Sequence, residues 1–160
     1  MKYINYFFYT TISLSFIIGT ILFFSFHKMV GKIDKSDIID KNTSFEPCPS
    51  VIYEYYNDGY GYKTERFGFR KIIENPIKNL NFPNFSGLIN VRFVINCKNE
   101  IGYFRIKTTN QEYKSVQIGN ELEYEIVKIL KQLTDWNGKN ENSYYQIYIK
   151  IRNGKVDDIF

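Results

Sequence analysis

Side chains that commonly do chemistry are sparse in this sequence. Its 160 residues include a single histidine, His27, and two cysteines, Cys48 and Cys97. A nucleophilic site needs a base beside its nucleophile, and a metal site needs several ligands in one cluster. Asp157 and Asp158 are neighbours in a predicted strand, so their carboxylates point to opposite faces and cannot form an acid–base pair. We therefore predict no catalytic residue, no metal site and no cofactor, and we do not expect an enzyme.

These residues have structural explanations as well. His27 follows a long apolar run, where a position at the level of lipid headgroups is favoured over a catalytic role. Cys97 falls on the apolar face of a predicted strand with no histidine nearby, which gives a reactive thiolate little support. The net charge of +4 is diffuse and the basic, aromatic signature of RNA-binding sheets is missing. No nucleic-acid partner is therefore expected.

The first 27 residues are predicted to form a membrane anchor. Residues 4–26 carry no charged side chain, and these 23 residues would span roughly 34 Å as a helix, enough for a hydrocarbon core of about 30 Å. The alternative is a cleaved secretory signal, although the apolar run exceeds the usual ~7–15 residues and no Ala-x-Ala-like cleavage site follows. We predict a single uncleaved transmembrane helix within residues 1–27.

Two rules disagree about the side of the membrane on which the rest of the chain lies. Lys28, Lys32 and Lys35 follow the apolar run, and the positive-inside rule alone would place them in the cytoplasm. Cys48 and Cys97 are an even pair in a small domain, which favours an oxidising compartment and a disulfide. Such a bridge would stabilise the fold by roughly 4 kcal/mol in the chain-entropy model. Two unrelated thiols are the alternative.

Residues 28–63 are predicted to be a linker and residues 64–160 a folded domain. The linker begins with alternating lysine and aspartate and has too little apolar surface for a core. Residues 51–62, at its end, are dense in tyrosine and glycine and fit either a strand or an ordered loop, with a turn signal at 57–59. Fully extended, residues 27–50 reach at most about 80 Å.

Period-two patterns and turn residues predict the first elements of the domain. A short helix over residues 64–75 is ended by Pro76. Residues 89–97 alternate between apolar and polar side chains and predict a half-buried strand. A turn around Asn99, a residue suited to positive φ, leads into a second strand over residues 101–107.

The strongest helix signal begins at Asn120. Asn120 is a suitable N-cap, and Glu123, three residues later, completes a predicted capping box. Trp136 follows the helix and is expected to cover its end as a core residue. The apolar stripe of this helix consists of Leu122, Ile126, Ile129, Leu130 and Leu133.

The last elements are predicted to form a hairpin. Residues 143–152 alternate between an apolar and a polar face, Asn153 and Gly154 favour a type I′ turn, and residues 156–160 return as a short strand. The order of the elements predicts an α+β fold. We expect a small antiparallel sheet with one main helix packed on it, preceded by a single transmembrane helix.

In so small a sheet, the strand over residues 143–152 is expected to have one flank without a partner. An unpaired flank presents N–H and C=O groups that accept an extended peptide as an additional strand. Gln146, Tyr148 and Lys150, on the polar face, would then select the peptide. The alternatives are that residues 51–62, or a second copy of the chain in a homodimer, cover this flank.

The sequence resembles the C-terminal domain of the TonB family over about residues 64–160. The resemblance lies in the segment NLNFP at 79–83, the alternating strand after Gly87, the helix that ends at Trp136 and the segment IYIKIRNG at 147–154. The plan of an N-terminal anchor followed by an exported domain also fits this family.

The resemblance implies energy transduction. Members of the TonB family couple a proton-driven ExbB/ExbD-type motor to an outer-membrane TonB-dependent receptor, whose extended peptide they grip on a sheet edge and pull. Carried over, the chain is a single-pass protein of the bacterial inner membrane with its C-terminal domain in the periplasm, which decides between the charge rule and the cysteine rule. The peptide-binding strand would consist of Tyr145, Gln146, Ile147, Tyr148, Ile149, Lys150 and Ile151.

A second hypothesis keeps the fold without the motor. The predicted span contains no histidine for contact with a motor, and the chain has only four prolines and no long proline-rich spacer. The alternative function is a membrane-tethered periplasmic binding or structural module.

Overall fold

The computed structural model of the chain describes residues 2–26, 37–41, 44–49, 52–53, 61–137 and 142–160. The predicted roles of His27 and of the turn signal at 57–59 lie outside these ranges.

Three helices and eight strands make up the described part of the chain. The helices are α1 (Lys2–Phe26), α2 (Glu65–Lys78) and α3 (Asn120–Leu130). The strands are β1 (Ile52–Tyr53), β2 (Gly61–Tyr62), β3 (Gly87–Ile95), β4 (Ile101–Asn110), β5 (Ser115–Val116), β6 (Trp136–Asn137), β7 (Asn142–Arg152) and β8 (Lys155–Ile159).

β3 and β7 form the centre of the main sheet. They pair antiparallel from Gly87 opposite Ile151 to Ile95 opposite Ser143. β4 pairs with the other flank of β3, and β5 extends the sheet beyond β4. The other flank of β7 is shared by β8, which is antiparallel to it, and by β1, which is parallel. The predicted α+β fold with an antiparallel sheet is therefore confirmed, and β1 is a parallel addition to it.

Two tight turns have the backbone conformation that their residues predict. Asn99, between β3 and β4, has a φ of 63°. Asn153 and Gly154, between β7 and β8, have φ values of 50° and 76°, and a type I′ turn requires positive φ at both central residues. The strand boundaries differ from the predicted ones, because β3 ends at Ile95 rather than at residue 97 and β4 continues to Asn110.

α2 continues past the proline that the sequence predicts to end it. Pro76 lies in its last turn, and the helix runs on to Lys78. A proline has no N–H to donate to the carbonyl one turn earlier, so it removes one bond of the helical ladder. Ile73 and Ile77, on either side of it, are both fully buried. Their burial against the sheet offsets the one missing bond, and the predicted end at Pro76 is wrong for this reason.

α3 begins without the predicted capping box. Gly119 is the N-cap, with a φ of 94°, and no described side chain caps the helix. Glu123 is instead partly buried at the domain surface, and this burial raises the pKa of its carboxyl group. The predicted apolar stripe is confirmed by its buried members, which are Ile126, Ile129, Leu130 and, just beyond the helix, Leu133.

α2 and α3 pack against one face of the sheet and form the core there. Trp136 lies within this core, 1% exposed, with its ring in edge contact with Tyr62, Phe93 and Tyr145. Its indole N–H donates a 2.9 Å hydrogen bond to the Leu133 carbonyl. The indole is therefore both buried and satisfied, and the predicted core role of Trp136 is confirmed.

α1 is long and apolar enough to cross a bilayer. The stretch Asn5–Phe24 has the required length and composition, and none of it is buried against the domain. Thr10, Thr11 and Thr20 donate their hydroxyls to helix carbonyls four residues earlier, so these polar groups are satisfied within the helix. Such a helix is suited to an apolar environment, and both a membrane span and a secretory signal have this property.

The raised pKa of Glu123 predicts a pH-dependent effect on stability. Because the carboxyl pKa is higher in the folded state than in the unfolded one, the ionised form costs stability at neutral pH. The cost disappears as the pH falls below the ordinary glutamate pKa of about 4.3. We expect Glu123→Gln to give a higher unfolding temperature than Glu121→Gln at neutral pH, measured on the full chain in detergent micelles, with no difference in acid.

Glu121 is the matched control for this comparison. It lies in the same first turn of α3 but is exposed. Both substitutions remove the same favourable interaction with the helix dipole, so their difference isolates the effect of burial. Equal unfolding temperatures at neutral pH would contradict the burial cost.

Candidate functional site

β7 presents two chemically different faces, as its alternation predicts. The side chains buried against the helices are Tyr145, Ile147, Ile149 and Ile151. Successive side chains of a strand point to opposite faces, so Gln146, Tyr148 and Lys150 lie on the other side of the sheet. Of the seven residues predicted to bind a peptide, these three present their side chains away from the core.

The sequence predicts that one flank of β7 is free, but the flank that faces away from β3 is occupied at both of its ends. β8 pairs with residues 149–152, and Tyr148 exchanges backbone hydrogen bonds of 2.6 and 2.9 Å with Phe160. β1 pairs with residues 142–143. The predicted open edge is therefore wrong for residues 148–151, because the turn after β7 folds β8 back onto it. The alternative in which part of residues 51–62 covers this flank holds for β1.

Residues 144–147 are the part of β7 beside which no strand is described on this flank. Four residues of extended chain span only about 13 Å. A longer peptide could add to β7 only if β8 left, and β8 is tied to α2 by a 2.9 Å ion pair between Arg70 and Asp158. Strand addition over residues 145–151 therefore requires a rearrangement of this structure.

The segment before β1 is fastened to the flank of β4. We call residues 37–49 the N-terminal strap; 37–41 and 44–49 of it are described. The Ile39 N–H donates to the Phe104 carbonyl over 2.9 Å, and the Phe104 N–H donates to the Asp40 carboxylate over 2.9 Å. Asp40 is buried and also lies 3.2 Å from the Lys131 ammonium of the loop after α3. This half of the strap therefore occupies the edge of the sheet at Phe104.

The second half of the strap crosses to the face of the sheet opposite the helices. Phe45 is buried there with Val94 and Tyr144, in a small apolar cluster separate from the main core. Its ring packs directly on Gly102, where an added Cβ would overlap it. Only glycine at this position of β4 lets the strap approach so closely.

A disulfide and two buried amides hold the end of the strap. The predicted bridge between Cys48 and Cys97 is present, with the two Cα atoms 6.0 Å apart. The Asn142 side chain accepts a 2.9 Å bond from the Cys48 N–H and donates a 2.8 Å bond to the Cys48 carbonyl. Asn96 donates a 3.1 Å bond to the Glu46 carbonyl. The strap is thus joined to β7 and to the turn after β3 by both covalent and polar contacts.

These contacts correct the predicted linker over residues 28–63. Its described parts belong to the folded domain, whose described residues therefore start at 37 rather than at 64. The connection between α1 and the strap is residues 27–36. From Phe26 to residue 37 a fully extended chain reaches at most about 40 Å, half of the reach expected from the sequence.

The face of the sheet opposite the helices carries a group of polar and basic residues. One row across β4, β3 and β7 consists of Arg105, Arg92 and Gln146, and the neighbouring row consists of Lys107, Asn90 and Tyr148. We call these six residues, together with Lys150, the polar face.

The charges of the polar face are incompletely balanced. Lys150 and Arg152 both pair with Asp157, at 3.1 and 3.2 Å. Among the described residues, Arg92 and Lys107 have no carboxylate partner. Burial raises the pKa of the Tyr144 phenol, while the positive charges of the neighbouring arginines at 105 and 92 act in the opposite direction. The Arg105 guanidinium donates a hydrogen bond to the Tyr144 hydroxyl.

A second concave feature lies between the strap and α3. This open cleft has a volume of about 730 Å³. Its charged lining is balanced, since it consists of Asp37, Asp40, Glu123, Lys41, Lys128 and Lys131. Within the described ranges, no three His, Cys, Asp or Glu side chains are grouped so as to hold a metal ion. The polar face is therefore the surface with the stronger charge asymmetry.

Sequence reasoning missed the residues that hold the strap. Asp40, Asn96 and Asn142 are buried polar residues whose bonds to the strap or sheet join positions 64, 50 and 94 residues apart. No local pattern marks such pairs. The available signal is the presence of Ile38, Ile39 and Phe45 in a mostly polar segment, and Ile38 and Phe45 are buried.

No family model, curated protein or solved structure was found to match this chain. The functional proposal therefore rests on the contacts of the strap and on the polar face.

The role of Asp40 predicts a graded response to substitution. Asp40→Ala leaves the buried Phe104 N–H without an acceptor and should cost about 1–3 kcal/mol of unfolding free energy. Asp40→Asn keeps an amide oxygen for that N–H and loses only the ion pair with the half-exposed Lys131, which should cost at most about 1 kcal/mol. Denaturant unfolding of the full chain in detergent micelles gives both values.

Hydrogen exchange at the Phe104 amide is the local readout for this pair of variants. Exchange should become faster in Asp40→Ala and stay close to that of the wild type in Asp40→Asn. Similar exchange in all three proteins would show that the carboxylate does not hold the strap on β4.

Proposed function

We propose that this chain is a single-pass membrane protein whose α+β domain is held beside the bilayer, on its oxidising side, as a binding module. The observation that carries this proposal is the attachment of the strap to the sheet. It leaves residues 27–36 as the only connection between the apolar helix α1 and the folded domain. A tether of at most about 40 Å keeps the domain next to the membrane.

The disulfide supports the placement of the domain outside the cytoplasm. Disulfides persist in oxidising compartments, of which the bacterial periplasm is one, and are rare where thiols are kept reduced. The Cys48–Cys97 bridge closes a loop of 49 residues and secures the strap. The periplasmic side of a bacterial inner membrane satisfies both requirements, a membrane for α1 and an oxidising solvent for the bridge.

A module of this kind would bind its partner through side chains. The backbone groups of β7 are largely engaged, on one flank by β3 and on the other by β8 and β1. The polar face offers charged and aromatic side chains on a rigid sheet instead, and recognition there requires no strand to leave. We place the binding surface on the polar face for this reason.

Energy transduction of the kind implied by the resemblance is the rival function. It needs a receptor peptide on residues 145–151, where β8 already pairs with the C-terminal half. It also needs a domain that reaches an outer membrane, whereas the described contacts of the strap shorten the tether to about 40 Å. Both requirements would be met only after the strap and β8 had been released.

The proposed placement predicts the behaviour of a C-terminal reporter. Alkaline phosphatase, which needs disulfides, should be active when fused after Phe160, and a cytoplasmic reporter at the same position should be inactive. An N-terminal tag should remain on the mature protein in the membrane fraction after carbonate extraction. Loss of that tag would show that α1 is a cleaved signal, and an inactive phosphatase fusion would overturn the placement.

Dependence on the proton-motive force separates the proposed module from the transducer. A photo-crosslinking residue at Tyr148, on the polar face, should give the same products in cells with and without a protonophore. The same residue at Tyr113, which is 91% exposed in the β4–β5 turn, is the control for general surface contacts. Products at position 148 that vanish with the protonophore would favour the transducer.

A further inference from the structure

Three neighbouring cations on the polar face have no carboxylate partner among the described residues. Arg92 lies directly opposite Arg105 across the β3–β4 pair, and Lys107 is one row further along β4. None of the three forms an ion pair with a described residue. The Arg105 Nε is buried, and no described residue offers it a hydrogen-bond acceptor. Since buried charged donors are normally satisfied, this arrangement lacks an anion.

The register of β3 and β4 also places two of these positive charges directly opposite each other. Side chains directly opposite each other in an antiparallel pair have Cβ atoms only about 5 Å apart, and like charges at such positions are destabilising. Arg92 and Arg105 occupy such opposite positions. The other cross-strand neighbour of Arg92 is Gln146, which is neutral and does not compensate the repulsion between the two arginines. A negatively charged group lying across both guanidiniums would convert this repulsion into attraction.

The helix side of the domain carries charges of both signs, since α2 has Arg70, Lys71 and Lys78 together with Glu74. α3 carries three glutamates, Glu121, Glu123 and Glu125, and one lysine, Lys128, within its bounds. The cleft between α3 and the strap is balanced in charge. The cations of the helix side therefore lie among carboxylates, whereas those of the polar face do not, and an anionic surface would favour the polar face.

The tether meets the domain at the edge of the sheet, where the first half of the strap lies between α3 and β4. The strap is fastened to Phe104, the residue that precedes Arg105 in β4. The bilayer that holds α1 is at most about 40 Å of chain away from this point. A tether of this length gives the membrane surface a high effective concentration at the polar face.

We propose that the polar face docks on anionic phospholipid headgroups of the same bilayer that holds α1, with Arg92, Arg105 and Lys107 as the headgroup-binding residues. This inference rests on the proposed tethering by α1, but it does not depend on which side of the membrane the domain occupies. In this docked state, guanidinium and ammonium groups of the polar face would donate hydrogen bonds to the phosphate groups of the lipids. Tyr148, stacked on Phe160 with ring centroids 5.4 Å apart, supplies an aromatic pair at the same surface.

The test uses the full chain in lipid nanodiscs with a gadolinium-labelled headgroup lipid. Nanodiscs of phosphatidylcholine with phosphatidylglycerol are compared with nanodiscs of phosphatidylcholine alone. We expect paramagnetic broadening of the amide signals of the polar face only with the anionic lipid, and less of it at high salt. Amides of α2 and α3 should be unaffected.

The double variant Arg92→Gln/Lys107→Gln removes two exposed cations without touching the core. Each cation near an anionic surface contributes about fivefold, so the ratio of docked to undocked domains should fall about 25-fold. The control Lys71→Gln/Lys128→Gln makes the same change in net charge on the helix side and should dock as the wild type does. An unchanged unfolding temperature verifies that each variant is folded.

Two outcomes overturn the proposal. Broadening that is equal in both kinds of nanodisc, or that falls on α2 and α3, rules out docking through the polar face. No broadening with the anionic lipid, together with binding of soluble polyphosphate that Arg92→Gln/Lys107→Gln abolishes, assigns the face to a soluble anion instead. The phosphatase fusion tests the proposed function separately, because its result depends on the side of the membrane and the nanodisc result does not.

Discussion

The attachment of the strap to the sheet is the constraint on which the rest of the structure depends. It begins at Asp40 on the flank of β4 and ends at the Cys48–Cys97 bridge. Without it, the chain from Phe26 to β1 would have a reach of about 90 Å, slightly more than twice that of residues 27–36 alone. A reach about 2.2 times shorter confines the domain to a roughly 11-fold smaller volume, and in the proposed anchored chain the membrane surface is correspondingly more concentrated around it.

The strap also determines which parts of the sheet are available to a partner. Its first half occupies the flank of β4 at Phe104, and its second half covers one end of the face opposite the helices with Phe45. β8 and β1 engage most of the remaining flank of β7. What the described strands leave accessible is the rest of that face, with its rows of basic and aromatic side chains. Parts of the β4 and β7 flanks are covered while this side-chain surface stays accessible, and the covered flanks limit unspecific strand pairing.

The sequence predicts the features that local patterns encode. Period-two alternation placed Gln146 and Tyr148 on the correct face, the Asn153-Gly154 step indicated the hairpin, and the pair of cysteines indicated the bridge. The strap is held instead by polar pairs far apart in the chain, such as Asn142 with Cys48. The opposition of Arg92 and Arg105 depends on a register that shifts between Arg92 and Val94, which alternation cannot report. Long-range partners and register are set by packing, so they became visible only in the structure.

The same limit explains why the sequence pattern predicts an open strand as the binding site. Alternation tells which face of a strand is buried, but not whether each flank has a partner. The segment at 147–154, the most specific part of the resemblance, ends in the turn that folds β8 back onto β7. β8 is then held by Asp157 against Lys150 and by Asp158 against Arg70. The segment on which the prediction of a free peptide-binding strand rested therefore supplies β8 as the partner of β7. For this reason we propose that the domain recognises a partner through its side chains and not through its backbone.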